Sequence, residues 1–218
     1  MSPARENDSG MRGRIIAAAV GLLAEHGAGA VQARAVARDV GASTMAVYHY
    51  FGGMRQLFLA MSEEGFHRLD RKLAEVVPGP DPVTDALRLA LAYRESAREN
   101  PRLYDLMFGL SVPGGHSPEE HAPLGGDGKD SAAQHAFAHI VNGSERLLEL
   151  GETGEHEPTE IAAQLWSLVH GCVSLELAGH LDGELAVERV LMPMGTHLFR
   201  GIGIPGDHIE RSWARLSG

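Results

Sequence analysis

Apolar residues in this sequence recur at intervals of three and four positions, and few stretches alternate at every second position. The first spacing places side chains on one face of an α-helix, whereas alternation is typical of a strand. In the first periodic stretch, that face consists of Ile15, Ile16, Ala19, Leu22 and Leu23. The pattern therefore predicts an all-α protein.

Residues that end helices divide this pattern into segments. The predicted helices cover residues 11–25, 33–40, 44–50, 54–77, 83–99, 101–110, 131–150, 158–180 and 184–201. The proline-rich stretch 78–82 is a firm break, because proline lacks an N–H donor and disfavours helix in the residue before it. Pro193 is expected to kink or divide the last helix.

The length of 218 residues is enough for one or two domains. We expect a first domain over residues 11–57 and a second over residues 58–204. The polar residues 1–10 are expected to form a disordered tail, and residues 205–218 a C-terminal tail. Residues 111–130 are rich in glycine and proline and are expected to form an exposed loop.

Composition excludes several classes of protein. A content of 44% apolar and 22% charged residues excludes a disordered chain. The single cysteine, Cys172, excludes a disulfide framework and a cysteine-based zinc site. No apolar run reaches the ~18 residues that span a bilayer, and residues 1–10 lack the apolar core of a signal peptide. We therefore expect a cytoplasmic protein with no membrane partner.

The net charge of −10 is unevenly distributed. Residues 1–60 carry a net charge of +2, whereas residues 61–218 carry −12. Because DNA responds to the field within about one Debye length, the local charge matters more than the total. The acidic total therefore does not exclude a nucleic-acid partner for the N-terminal segment.

Two short predicted helices flank the turn Gly41-Ala42-Ser43, and a longer helix precedes them. This is the order of a helix-turn-helix unit. Ala37, Val40 and Val47 can pack the two helices together, and Ser43 can cap the second. The residues left to face a groove are Thr44, Met45, Ala46, His49 and Tyr50.

A longer string of residues resembles the N-terminal domain of the TetR family of transcriptional regulators. It comprises Arg14-Ile15-Ile16, Ala19, Gly27, Ala35-Val36-Ala37, Val40-Gly41-Ala42-Ser43, Val47-Tyr48-His49-Tyr50-Phe51 and Leu57-Phe58. The resemblance implies a three-helix DNA-binding domain whose third helix lies in the major groove of a double-stranded, pseudo-palindromic operator. It also implies that a ligand relieves repression.

Mapped onto matching positions, the resemblance implies that Thr44, Met45 and His49 face base edges. Arg34 would contact a guanine or a phosphate, and Tyr48 and Tyr50 would contact phosphates. Family members often carry lysine at the position of Met54, where Arg55 could substitute. The expected DNA-contacting residues are Arg34, Ser43, Thr44, Met45, Tyr48, His49, Tyr50 and Arg55. Arg34 and His49 could instead be ordinary solvated side chains.

The stretch Ile161–Ala178 contains one formal charge, Glu176, and is apolar on more than one face. Such a helix is buried on two sides, which favours its own core on one side and a second subunit on the other. A central helix of a monomer is the alternative. The expected homodimer interface consists of Leu165, Val169, Val173, Leu177, Val187, Leu191, Met194 and Leu198.

The run from Leu165 to Gly171 resembles the Trp–His–Gly type of C-terminal domain found in one TetR subgroup, and residues 101–108 resemble its sixth helix. The resemblance implies a cavity for a small, hydrophobic effector. The expected lining residues are Tyr93, Leu106, Met107, Phe108, Phe137, Trp166 and His170. No cofactor is expected.

Two alternatives remain open at this point. His135 and His139 lie four residues apart, a spacing that zinc can use, so the regulator could respond to a metal or to pH. A helical small-molecule-binding protein without a DNA role is the other. An enzyme is not expected, because the sequence has neither a glycine-rich phosphate loop nor a GxSxG motif.

Overall fold

The computed structural model describes residues 3–109, 131–151 and 156–215, with side chains described from residue 10 onward. Every regular element in these ranges is helical, which confirms the predicted all-α class. The helices are α1 (Pro3–His26), α2 (Ala33–Val40), α3 (Thr44–Phe51), α4 (Met54–Ala74), α5 (Pro82–Glu99), α6 (Pro101–Met107), α7 (Ala132–Leu148), α8 (Pro158–Leu177), α9 (Met192–Gly201) and α10 (Gly206–Ala214). A 3-10 turn spans Ala28–Ala30, and a π-helical segment spans Leu185–Leu191.

The predicted disordered tail over residues 1–10 differs from the structure, in which α1 begins at Pro3. Proline is tolerated at a first helical position, and Ala4, Arg5 and Glu6 have good or acceptable helix propensities. The polar composition of this stretch therefore did not prevent a helix. The predicted loop over residues 111–130 lies outside the described residues.

The C-terminal segment also differs from its prediction as a tail. Residues Gly206–Ala214 form α10, and Ile209 is fully buried in a core cluster with Val83 and Phe199. Glycine and proline at the start of this segment obscure the helix that follows them. One buried isoleucine in a short helix is too weak a periodic signal to predict burial.

One compact unit is formed by the described residues of Met1–Arg68 and Asn100–Ala133. It contains α1, α2, α3, most of α4, and α6. Its core includes side chains that are at most 1% exposed: Ile15, Leu23, Val36, Val47, Leu57, Met61 and Leu106. The predicted boundary between residues 57 and 58 therefore falls inside this unit.

Helix α6 lies in this unit, although its residues fall in the predicted second domain. Gly65 on α4 permits a close approach, since a Cβ there would lie 2.6 Å from both Cγ and Sδ of Met107. Arg102 Nη1 donates a hydrogen bond of 2.7 Å to the carbonyl oxygen of Ala24, near the end of α1. Leu103 is buried in the same core. These contacts assign α6 to the first unit.

The second unit is formed by Leu69–Glu99 and the described residues of Gln134–Gly218. Its core draws side chains from α5, α7, α8, α9 and α10. The predicted helix 184–201 is divided, as Pro193 suggests, into the π-helical segment and α9, with the proline in the first turn of α9. Proline is accepted there because the first N–H groups of a helix have no intrahelical partner.

Two buried carboxylates, Asp81 and Asp85, join the start of α5 to other helices of the second unit. Asp85 Oδ2 accepts a hydrogen bond of 2.6 Å from Arg146 Nη1 on α7. Asp81 Oδ1 lies 3.0 Å from His208 Nε2 on α10, and Asp81 Oδ2 accepts a 2.6 Å hydrogen bond from the Thr84 hydroxyl. The polar contact to His208 therefore holds α10 in place together with Ile209.

The Asp81 network predicts a pH-dependent stability. Burial raises the pKa of Asp81, but hydrogen bonds from Ser212, Thr84 and His208 outweigh it and lower the pKa from 3.8 to about 2. The stabilisation, about 2 kcal/mol, is present above pH ~4 and is lost as the pH falls towards 2. We expect Asp81→Asn to lower the free energy of unfolding by about this amount near neutral pH, measured by denaturant titration.

The difference between wild type and Asp81→Asn should shrink as the pH falls from ~4 to 2, because the Asp81 carboxylate then binds a proton in the unfolded state before it does so in the native state, whereas asparagine does not titrate. Asp207→Asn is the matched control. Its carboxylate pairs with Arg211 at an exposed site, so its removal should leave the free energy of unfolding nearly unchanged. An Asp81→Asn difference that stays constant across this pH range would contradict the assignment.

Candidate functional site

The turn between α2 and α3 has the geometry that its residues predict. Gly41 has φ 67°, in the left-handed region that favours glycine, and the Ala42 N–H donates to the Ala37 carbonyl oxygen at 2.9 Å. Ser43 Oγ accepts a 3.2 Å hydrogen bond from the Ala46 N–H. The predicted roles of glycine in the turn and serine as the cap of α3 are thus confirmed.

Burial of one face of α3 determines which face is exposed. Val47 is fully buried and Phe51 is nearly so, both in the core that also contains Ala37 and Val40. This confirms the predicted packing between the two short helices. The outward side chains of α3 include Met45, which is 74% exposed, Tyr48, which is 45% exposed, and His49.

All eight expected DNA-contacting residues lie in the first unit, on α2, α3, the turn between them, or the start of α4. Arg34, Ser43, Met45, Tyr48, His49 and Arg55 are exposed, and Thr44 and Tyr50 are half-buried. Tyr50 packs against the core, and its ring meets the His49 ring edge-to-face with centroids 5.3 Å apart.

The arginines of the first unit have different structural roles. Arg14 Nη2 donates a 2.7 Å hydrogen bond to the Val40 carbonyl oxygen, so this residue ties α1 to the end of α2. Arg12 is exposed, and its Cζ lies 5.3 Å from the centroid of the Phe51 ring, a cation–π contact that places it beside α3. The sequence reasoning did not select Arg12, although its position in the basic N-terminal segment was visible.

A small cavity of about 50 Å³ lies within the second unit. Its wall is apolar and aromatic and includes Leu87, Leu147, Val169, Phe199, Tyr93 and Trp166. No charged side chain belongs to this wall in the part of the chain that the structure describes. The cavity can therefore hold an apolar group, but it provides no charged side chain to pair with a charged ligand.

The structure separates the expected lining residues into two groups. Tyr93 and Trp166 line the cavity, Phe137 packs edge-to-face on Trp166 with centroids 5.9 Å apart, and His170 contacts Tyr93. Three residues of α6 lie instead in the first unit: Leu106, Met107 and Phe108. Leu106 is fully buried in the core, and the Phe108 ring is 5.7 Å from that of Phe66. These three residues lie in the first unit because α6 packs on α1 and α4.

Three polar groups at the cavity are hydrogen-bonded to one another. Trp166 Nε1 donates to Tyr93 Oη at 3.4 Å, and Tyr93 Oη lies 3.2 Å from His170 Nδ1. Burial lowers the pKa of His170 and so favours the neutral imidazole, whose Nδ1 can accept the Tyr93 proton. The polar edge of the cavity is thus built from uncharged groups.

The expected interface residues lie in the second unit and differ in their burial. Val169, Val173 and Leu191 are buried; Leu165, Leu177, Val187 and Leu198 are half-buried; and Met194 is 46% exposed. The three buried residues belong to the core of the chain itself. The exposed face of α8 includes Glu160, Gln164, Ser167, Gly171 and Leu175, which recur at helical spacing, and the exposed Ala178 follows directly after the helix.

His139, one of the two histidines of the predicted pair, contacts a carboxylate. His139 Nε2 lies 2.9 Å from Asp70 Oδ1. Among the described residues, no group of three or more His, Cys, Asp or Glu side chains is arranged to hold a metal ion. Burial raises the pKa of the Cys172 thiol, which favours its protonated form. No described helix has the length and apolarity needed to cross a membrane.

Comparison with known proteins matches both parts of the chain. Residues 15–61 match the model for bacterial regulatory proteins of the tetR family, and residues 86–194 match that for the tetracyclin repressor-like C-terminal domain. The HTH-type transcriptional regulator Rv1816 of Mycobacterium tuberculosis is 27% identical over 192 residues, covering 76% of this chain and 80% of that protein.

Two solved structures share the fold over nearly the whole length. A protein of unknown function from Rhodococcus sp. RHA1 superimposes with a TM-score of 0.69 and 25% identity, covering 88% of this chain and 95% of its own. The putative regulatory protein SCO4313 gives a TM-score of 0.64 and 25% identity, covering 92% and 98%. Together with the helix-turn-helix geometry, these matches show that the chain belongs to the TetR family and is a DNA-binding transcriptional regulator.

Proposed function

We propose that this regulator represses transcription by binding a pseudo-palindromic operator as a homodimer, and that a small apolar effector relieves the repression. The observation that carries the DNA-binding mode is the orientation of α3. Val47 is buried in the unit that holds the helix, while Met45, Tyr48 and His49 point outward. A helix presented in this way fits the major groove, where its first residues contact base edges.

The remaining exposed groups are suited to phosphate contacts. Ser43 uses its oxygen as the acceptor that caps α3, so its hydroxyl proton can be donated to a phosphate. Arg34 and Arg55 are exposed at the starts of α2 and α4. Arg12 adds a cation beside α3. Each neutralised phosphate contributes about 0.9 to the slope of log affinity against log salt.

We expect Arg34→Gln to weaken operator binding about tenfold, because the variant loses a cation that contacts guanine or phosphate. Fluorescence anisotropy, with an operator selected from randomised double-stranded DNA, measures both the dissociation constant and the salt slope at several salt concentrations. Arg211→Gln, at an exposed arginine on α10 of the second unit, is the matched control. Equal affinity and equal slope for Arg34→Gln and wild type would contradict the contact.

We propose that the homodimer interface lies on the exposed face of α8. Gly171, Leu175 and Ala178 present small or apolar groups there, and Leu175 is 48% exposed. A Cβ at Gly171 would meet nothing within 4 Å, so its lack of a side chain is not required by the packing of its own chain. A small residue on an open helix face allows a symmetry-related helix to approach closely.

We expect Gly171→Glu to convert the dimer to a monomer in light scattering and to lower operator affinity with it. The substitution places a charge in the proposed interface while leaving the fold intact, because the space around Gly171 is open and glutamate favours helix. Gly13→Glu, at an equally open helical glycine in α1, is the control for molecular mass. A Gly171→Glu protein that remains dimeric would refute this interface.

The effector proposal follows from the cavity wall. A carboxylate or ammonium group would lose its hydration there without gaining a partner of opposite charge, so an uncharged molecule is favoured. The cavity of about 50 Å³ is smaller than ordinary ligand sites. Binding of a ring-sized molecule therefore requires side chains of the wall to move, which links occupancy to a change of conformation.

We expect Ala90→Val, which adds two methyl groups at the cavity wall, to reduce the thermal stabilisation given by uncharged ring compounds such as indole and toluene. Ala92→Val on the same helix lies outside the wall and should retain the stabilisation. Melting curves with and without each compound measure both. Equal stabilisation of the two variants would argue against the cavity as the effector site.

A further inference from the structure

We propose that Met45 recognises the C5-methyl group of a thymine in the operator, so that α3 selects its site largely by apolar contact. The inference rests on the proposed insertion of α3 into the major groove. It adds the class of base that the helix selects and the residue that selects it.

The exposure of Met45 is the first observation. Its side chain is 74% exposed, the highest value among the large hydrophobic residues of α3. An exposed apolar side chain gains free energy when a partner removes it from water. Methionine is flexible and polarisable, so it can fit an irregular apolar surface such as the floor of a groove.

The geometry of α3 directs this side chain outward. Met45 and Val47 are two residues apart, which is about 200° around an α-helix, and Val47 is fully buried. The capping bond from the Ala46 N–H to Ser43 Oγ defines the first turn. Met45 therefore stands on the exposed face of the first turn, where recognition helices place the residues that contact bases.

The residue types present in α3 limit which bases the helix can recognise in the major groove. The sequence Thr44–Phe51 contains no Arg, Lys, Asn, Gln, Asp or Glu. These are the residue types that make bidentate or charged hydrogen bonds to guanine, adenine and cytosine in the major groove. What α3 offers instead is hydroxyl groups, one imidazole and the Met45 side chain. The apolar group that the major groove presents is the thymine methyl.

The test begins with selection of binding sites from randomised double-stranded DNA by the full-length protein. Each thymine of the selected site is then replaced singly by deoxyuridine, which lacks only the C5-methyl group and keeps the same base pairing. We expect one position in each half-site to lose about fourfold in affinity, the loss typical of one buried methyl-sized contact. Anisotropy titrations measure the dissociation constants.

Substitutions of Met45 then assign the contact. In Met45→Ala, deoxyuridine at that position should no longer weaken binding, because the methyl group has lost its partner. Met45→Leu keeps an apolar side chain and should keep a loss of about two- to fourfold. Arg34→Gln should weaken binding to the thymine and deoxyuridine sites by the same factor, so the methyl effect itself should remain.

The outcomes separate this inference from the proposed function. A protein that selects no DNA sequence fails the proposed function, and the inference fails with it. A protein that binds a selected site but shows no deoxyuridine effect overturns the role of Met45 alone. So does a full deoxyuridine effect in Met45→Ala, which would assign the thymine contact to another residue.

Discussion

The burial of Val47 and Phe51 is the constraint on which the DNA-binding surface depends. Both side chains pack into the core of the first unit, and this fixes the rotation of α3 about its axis. Because successive side chains of a helix diverge by about 100°, Met45 and His49 lie about 200° from Val47 and point away from the core. The left-handed backbone at Gly41 and the Ser43 cap place the start of the helix. Exposure of Met45, Tyr48 and His49 follows from these contacts.

The first unit extends beyond the helix-turn-helix motif. Arg102 hydrogen-bonds to carbonyl oxygens near the end of α1, and Gly65 lets Met107 approach α4. The unit that presents α3 therefore includes α6, whose residues lie about 50 positions after α3 in the sequence.

Some residues of the candidate site could be placed from local sequence patterns, and others could not. Gly41, Ser43 and Val47 were predictable because a turn, a cap and a buried helical face each have a short-range sequence signal. The structure places Leu106, Met107 and Phe108 in the first unit, which the sequence did not reveal because the apolar face of a helix does not specify its partner. Three of the predicted interface residues are buried within their own chain: Val169, Val173 and Leu191. An apolar pattern in the sequence predicts burial but does not distinguish the core of one chain from an interface between two chains.

The sequence by itself determined the all-α class, the turn and cap of the helix-turn-helix unit, and the buried face of α3. These depend on interactions between residues a few positions apart, which periodicity and turn chemistry record. Tertiary structure decided that α6 belongs to the first unit, that α10 packs on α5 through Asp81 and His208, and that the exposed face of α8 runs along Gly171 and Leu175. Those outcomes depend on which distant surfaces fit each other, and a single sequence contains no local signal of that fit.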